Sequence, residues 1–408
     1  MPNHYFLSKV SKQTFWQLIG KTITSLSTVI ILSIVSRNFG ESGTGVFTLS
    51  LTYLAFFTLI IDFGVNAHLM PQLIKADFEI VWRKLFGFRL ILVAILVPAA
   101  ILGGVFWPTT NYLFKQLILI GSIMAILGPA VYVSANAIFQ SRLRYDLSII
   151  GWSGAALTTL VLVYITSSLN LGLPWLMVDY SIGWLIGCIL LLFFVKKFVK
   201  FVWPIFDINF AKDLIKKSWP ISATLALNVI YFRVDVFILS SYHSFAEVGI
   251  YNLAYQIFQS VLVIPTFMMN AYYPLMLKSW AKFKQVSFTL FGLSLLCVVL
   301  TLILAPFLVD LITGARFLGS SQSLQILSFS FPAFFLSNFF MCALLAKGKY
   351  TKMFAIYLTG LSFNLILNLV FIPKFSYLAA SWITVISEYL ILILQIIGLY
   401  WIPKRSKT

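Results

Sequence analysis

Charge is scarce in this sequence, and negative charge scarcest: of 408 residues only 12 are Asp or Glu, and all charged residues together make up 10%. Soluble domains carry about 25%, so a surface solvated mainly by water is excluded for most of the chain. Cysteine is nearly absent too. Cys188, Cys297 and Cys342 stand far apart inside apolar stretches, which suits neither a disulfide framework nor a zinc site, so buried bystander thiols and no bound metal are expected. The three histidines, His4, His68 and His243, are scattered without a partner at catalytic spacing. No GxxxxGK run followed by Ser or Thr occurs, so no phosphate-binding loop of this chain hydrolyses a nucleotide. The opening stretch MPNHYFLSKVSKQTF lacks the small-residue cleavage site of a secretory leader, and the first apolar run is expected to remain as a structural helix.

What is abundant is hydrophobic sequence, at 60% of the chain. Runs long enough to cross a hydrocarbon core, about 20 helical residues each, fall near 14–36, 44–66, 85–107, 115–139, 148–168, 175–195, 217–240, 248–273, 286–311, 321–346, 352–372 and 378–402. They do not alternate polar with apolar, which excludes barrel strands and leaves helices, the other backbone that satisfies its amides in lipid. The expected fold is therefore all-α and polytopic, with about twelve transmembrane helices. The formal charge of +17 is not gathered on one solvated domain, so nucleic acid is not the expected partner. Instead the bases sort by side: with the N-terminus in the cytoplasm, 22 of the 29 Lys and Arg lie on that side, and only Arg37, Lys115, Arg316 and Lys374 on the other. The positive-inside rule then places both termini in the cytoplasm. Trp16, Trp82, Trp107, Trp175, Trp203, Trp219 and Trp401 fall near span ends, where an aromatic belt is expected.

The basic segment around 196–216, with Pro204, divides the spans six and six. Residues 1–200 are read as an N-terminal lobe, 201–216 as a cytoplasmic linker and 217–408 as a C-terminal lobe, the two surrounding a central cavity. Shifting the chain by 204 residues places Gly45-Val46-Phe47 on Gly249-Ile250-Tyr251, Leu49 on Leu253 and Asn66 on Asn270. Parallel repeats of this kind are a transporter device, in which two lobes rock about a site near the midplane.

The stretch SRNFGESGTGVFTLSLTYLAFFTLIIDFGVNAHLMPQLIK, through Gly40, Gly45, Phe47, Asp62 and Gly64, resembles the bacterial polysaccharide flippase family of the multidrug/oligosaccharidyl-lipid/polysaccharide exporter superfamily. The second half carries it further. FRVDVFILSSYHSFAEVGIYNLAYQIFQSVLVIPTFMMNAYYPLM is similar to the family's seventh and eighth spans, and NLILNLVFIPKFSYLAASWITVISE to its eleventh and twelfth. One departure is Phe375-Ser376, where the family has Tyr or His followed by Gly. The resemblance implies a multi-pass protein of the bacterial cytoplasmic membrane that moves undecaprenyl-diphosphate-linked oligosaccharide to the outer leaflet by alternating access. It implies no cofactor, coupling to a proton or sodium gradient, and polysaccharide polymerase and chain-length machinery as partners beside membrane lipids. Two alternatives stay open: an organic-cation antiporter of the same superfamily, and a membrane oligosaccharide polymerase or glycosyltransferase, although every outer loop is short.

An anionic head group calls for cationic side chains inside the spans. Arg233, Lys21 and Arg89 are the candidates, Arg233 foremost because its fork matches phosphate oxygens. Its structural alternative is a pairing with Asp62 or Glu388; Asp235, two residues away, is off its helical face. Lys21 and Arg89, a turn or two inside their span ends, are expected to snorkel to the interface. Asp62, Asp235 and Glu388 are candidates for coupling or gating, Asp62 because Phe63-Gly64 follows it. Asn66, Asn270, Tyr231 and Tyr255 are polar or aromatic candidates for the cavity wall, with packing as their alternative. Pro265 is the proline expected to matter most for rocking.

Overall fold

A computed structural model describes residues 2–400 except 63–64, 76, 108–110 and 315; inside helices the side chains of 2–15, 18, 67, 220–226, 228–229, 270–271, 274 and 278 are not described. The described chain is helical without a strand. Its elements are α1 (Pro2–Asp62), α2 (Val65–Leu73), α3 (Phe78–Val105), α4 (Tyr112–Ser141), α5 (Tyr145–Ser168), α6 (Leu173–Val195), α7 (Ile208–Tyr242), α8 (Phe245–Val261), α9 (Val263–Lys278), α10 (Phe283–Thr313), α11 (Leu318–Ser328), α12 (Phe331–Ala346) and α13 (Tyr350–Tyr400).

Eight of the described helices, or nine if a bent pair counts as one span, are long and apolar enough to cross a bilayer. Two of these are double. α1 contains a non-helical residue at Gly40 (φ 65°) and α13 one at Ser376 (φ 55°), so each is two successive spans meeting at a sharp corner. This matches the expected pairs 14–36 with 44–66 and 352–372 with 378–402. Large apolar side chains point outward throughout; on α10, with mean hydropathy 2.8, Phe288 is 76% exposed and Ile303 67%. In water such a surface would be untenable, and in lipid it is the solvated face.

Prolines place the two internal breaks. Pro265 removes an amide and crowds the carbonyl four residues back; that residue is Val261, where α8 ends. Pro332 does the same to Ser328, where α11 ends, and α11 and α12 meet at 45°. The expected spans 248–273 and 321–346 are therefore each two helices. Pro98, Pro129 and Pro306 lie inside continuous helices, and Pro373 lies three residues before the corner at Ser376.

The chain forms two compact units, Met1–Phe39 with Val46–Ala226, and Gly40–Gly45 with Leu227–Thr408. The first has a core of Trp82, Phe86, Phe139, Leu191 and Val195 among others. Trp82 is fully buried, stacked on Phe86 with its indole N–H donating to Ser134 O at 2.9 Å, so it is a core residue and not part of the aromatic belt. Trp175, Trp203 and Trp219 are exposed.

The expected linker 201–216 is shorter than its sequence suggested. Residues 196–207 form a non-helical strap, and helix α7 already begins at Ile208. The strap is tied to α3. Glu79 accepts from the amides of Lys200 (3.0 Å) and Phe201 (3.1 Å), Arg83 Nε donates to Trp203 O (2.8 Å), and Ile205 N donates to Arg83 O (3.0 Å). Gly87 lets the strap lie flush, since a Cβ there would stand 2.2 Å from Ile205 O. Lys84 meets Asp207 at 2.8 Å, and Asp207 caps α7 by accepting from Phe210 N at 2.9 Å. The lysine, then the capping amide, hold the Asp207 carboxyl below the usual carboxylate range.

Candidate functional site

In the second unit α7 presents Tyr231 and Asp235, four residues apart and so on one face, both buried. Opposite them α13 presents Thr384 and Glu388 at the same spacing, buried as well. The four are joined through tyrosines. Tyr231 OH donates to Glu388 Oε1 at 2.5 Å. The hydroxyl of Tyr251 on α8 donates to Asp235 Oδ2 and lies 3.5 Å from Thr384 Oγ1. Asp235 Oδ1 accepts from the amide of Val236 at 2.8 Å. Beside Glu388 in sequence, Ser387 Oγ accepts from Asn364 Nδ2 (3.2 Å), and Asn364 Oδ1 accepts from Asn368 Nδ2 (2.8 Å). Asn368 Oδ1 is buried with no hydrogen-bond partner among the described residues. Neither Asp235 nor Glu388 has a base within 4.0 Å among the described residues. Carboxylates in a span are costly unless paired or matched by a bound cation; here each has a phenol.

Arg233, two residues from both Tyr231 and Asp235 in sequence, has other partners. Its Nη2 donates to Gln259 Oε1 at 3.2 Å, and its guanidinium lies over the Tyr255 ring, 5.5 Å from the centroid. It is only partly buried, and no carboxylate stands within 4.0 Å of it among the described residues. Pairing of Arg233 with Glu388 is not what the structure contains, because Tyr231 has taken that carboxylate. The residues the sequence brings to attention in this unit, Tyr231, Arg233, Asp235, Tyr255 and Glu388, thus form one neighbourhood. Gln259 was not among them, although it lies one turn beyond Tyr255. Thr384 was also missed, since a threonine in a span commonly bonds its own helix, as Thr384 Oγ1 does to Ala380 O at 3.0 Å.

The first unit gathers a different set. Arg89 does not snorkel; it is fully buried. Its Nε donates to Ile61 O (3.3 Å), Nη1 to Ser134 Oγ (3.2 Å) and Nη2 to Asn66 Oδ1 (2.8 Å), while Asn66 Nδ2 donates to Val133 O (3.0 Å). α1 is described to Asp62 and α2 from Val65, so Arg89 and Asn66 fasten the end of the one and the start of the other to α4. Both side chains have their polar atoms committed there. Asp62 is half-buried and Lys21 exposed, neither in an ion pair among the described residues. Asn270 lies outside the described side chains. The three cysteines are free and buried, and among the described residues no cluster of His, Cys, Asp and Glu could hold a metal.

Solved structures share this fold at low sequence identity. The lipid II flippase MurJ in an inward closed conformation aligns with a TM-score of 0.76 and 13% identity over 96% of this chain and 88% of that one. A multidrug resistance MATE family transporter of the MOP superfamily in its inward-facing conformation aligns at 0.71 and 14%, over 93% of each chain. A MOP superfamily transporter from Pyrococcus furiosus aligns at 0.66 and 12%, over 96% of this chain and 94% of that one. No curated protein sequence matches. The family model described as polysaccharide biosynthesis protein matches residues 10–280. An all-α membrane fold shared with MurJ and MATE transporters, and a family match across most of the sequence, lead to one assignment: the chain belongs to the polysaccharide biosynthesis protein family.

Proposed function

We propose that this protein is a flippase that carries an undecaprenyl-diphosphate-linked oligosaccharide from the cytoplasmic to the outer leaflet by alternating access, coupled to a proton or sodium gradient, and hands it to a polymerase with its chain-length machinery. The observation that carries the reading is Arg233: a guanidinium on α7, within the expected span 217–240, braced by Gln259 and Tyr255, with no carboxylate within 4.0 Å among the described residues. A cation held so is costly unless an anion joins it, and its remaining donors fit phosphate oxygens. Transport of lipid II in the name of one structural relative agrees with an anionic lipid-linked cargo. Asp235 and Glu388, with tyrosine partners and no base within 4.0 Å among the described residues, supply the negative charge a driving cation would meet. An organic-cation antiporter would use those same carboxylates for cargo and would leave Arg233 without a task.

The test is uptake of a fluorescent undecaprenyl-diphosphate oligosaccharide into the far leaflet of proteoliposomes under imposed proton or sodium gradients. Native protein is expected to translocate it, Arg233→Gln to lose at least about tenfold of the rate, the worth of one charge-assisted bond, and Asp235→Asn to keep binding while losing the response to the gradient. Export of a fluorescent organic cation by native protein, with no glycolipid movement, would replace the proposal with the antiporter reading.

A further inference from the structure

Beside the strap, the first unit holds a polar pocket of about 570 Å³ that the site above does not use. Its donors come from three elements: His68 and Gln72 on α2, Lys84 on α3, and Asn209, Lys212 and Lys217 at the start of α7. Two acids also line it, and both are engaged: Asp207 with Lys84 at 2.8 Å, and Asp213 with Lys217 at 3.7 Å. Lys212 has no carboxylate within 4.0 Å among the described residues. Among the lysines and acids that line it, three amines face two carboxylates, and the surplus is positive.

The walls are fixed rather than loose. The strap's bonds to Glu79 and Arg83, its flush packing on Gly87 and the Asp207 cap set where α7 starts and hence where Lys212 and Lys217 stand. The segments that carry the pocket's residues also expose apolar side chains: Trp203 is 77% exposed, Phe206 63%, Ile208 66% and Trp219 59%. Amines interleaved with aromatic and aliphatic side chains at the end of membrane helices are the pattern of a segment lying in the head-group layer of an anionic leaflet. A free phosphate would fill a small part of 570 Å³; a phosphate bearing a polar head group fits the pocket's size, and the exposed Phe206 and Ile208, neighbours in sequence of Asp207 and Asn209, offer apolar surface for its chains.

We infer that this pocket binds the phosphate-bearing head group of an anionic membrane lipid, with Lys212 and Lys217 providing charge and His68, Gln72 and Asn209 hydrogen bonds. The inference does not depend on what the protein transports. It is tested by native mass spectrometry of the full chain released from detergent, with phosphatidylglycerol, phosphatidylcholine or inorganic pyrophosphate added. Phosphatidylglycerol is expected to be retained over phosphatidylcholine. Lys212→Gln with Lys217→Gln is expected to weaken retention by about 30-fold, two lysines at a lipid surface, and Asp213→Asn to strengthen it; Lys84 stays because it holds Asp207. Both substituted lysines are exposed, so an unchanged thermal melt separates lost binding from misfolding. Pyrophosphate that displaces the lipid, and whose own retention the double variant loses, supports the same site with a soluble phosphate as an additional source. Equal retention of phosphatidylcholine, or a double variant that keeps phosphatidylglycerol, overturns the inference. Failure of the flippase reading in the transport assay would leave these lipid adducts unchanged.

Discussion

Arg89 and Arg233 are the same residue type in two environments, and their partners decide what each can do. Arg89 spends its donors on Ile61 O, Ser134 and Asn66, so its role is to hold α1, α2 and α4 together. Arg89→Met keeps the bulk and strips the bonds, which leaves buried acceptors unpaired and is expected to cost about 3 kcal/mol. A denaturant or thermal melt in detergent checks this; Arg89→Lys should recover little, because one ammonium cannot reproduce the fork. A variant that melts with the native protein would show the three bonds to be inert. Ser376 gives a prediction of the opposite sign. Its φ of 55° with ψ −141° lies where a side chain is crowded, and Ser376→Gly is expected to stabilise by about 1 kcal/mol, raising the melting temperature, whereas Ser376→Val should lower it.

Between elements, the contact that follows the 204-residue offset most closely is a pair of glycines. A Cβ on Gly45 would stand 1.7 Å from Phe245 O, and one on Gly249 would stand 2.2 Å from Glu41 O. Position 245 is 41 shifted by 204 and 249 is 45 shifted by the same amount, so the approach is reciprocal. It also explains why Gly40–Gly45 groups with the second unit rather than with the rest of α1. Gly45→Ala and Gly249→Ala are each expected to lower the melting temperature, because a backbone carbonyl cannot swing aside as a side chain can. Both relieve the clash by the same separation of segments 41–45 and 245–249. The double variant should therefore fall short of the sum of the singles, and additive losses would show that the two positions yield independently.

At the scale of the whole molecule, the 22 basic residues against four predict that the strap faces the cytoplasm. The three cysteines are buried and free, so alanine at all three gives a background for single reporter cysteines. With a membrane-impermeant maleimide on intact cells, a cysteine at Lys115 is expected to label and one at Lys197 to label only after the membrane is opened. The reverse pattern would invert the topology.

Much of this architecture was legible residue by residue. Apolar length dictates spans because lipid leaves the backbone no outside partner, and Pro265 and Pro332 mark their own helix breaks because a missing amide acts on a carbonyl four residues away in the same chain. These are local effects, and a sequence contains everything local. The sequence also nominated Arg233, Asp235, Tyr231, Tyr255 and Glu388, since an ionisable group in a span stands out against its neighbours. It could not tell that Arg89 is a brace and Arg233 is not, that Glu388 would meet Tyr231, or that Trp82 would leave the interface for the core. Each of those outcomes depends on partners 23 to 157 residues distant in the chain, and only the packing of helices in three dimensions brings such partners within hydrogen-bond reach.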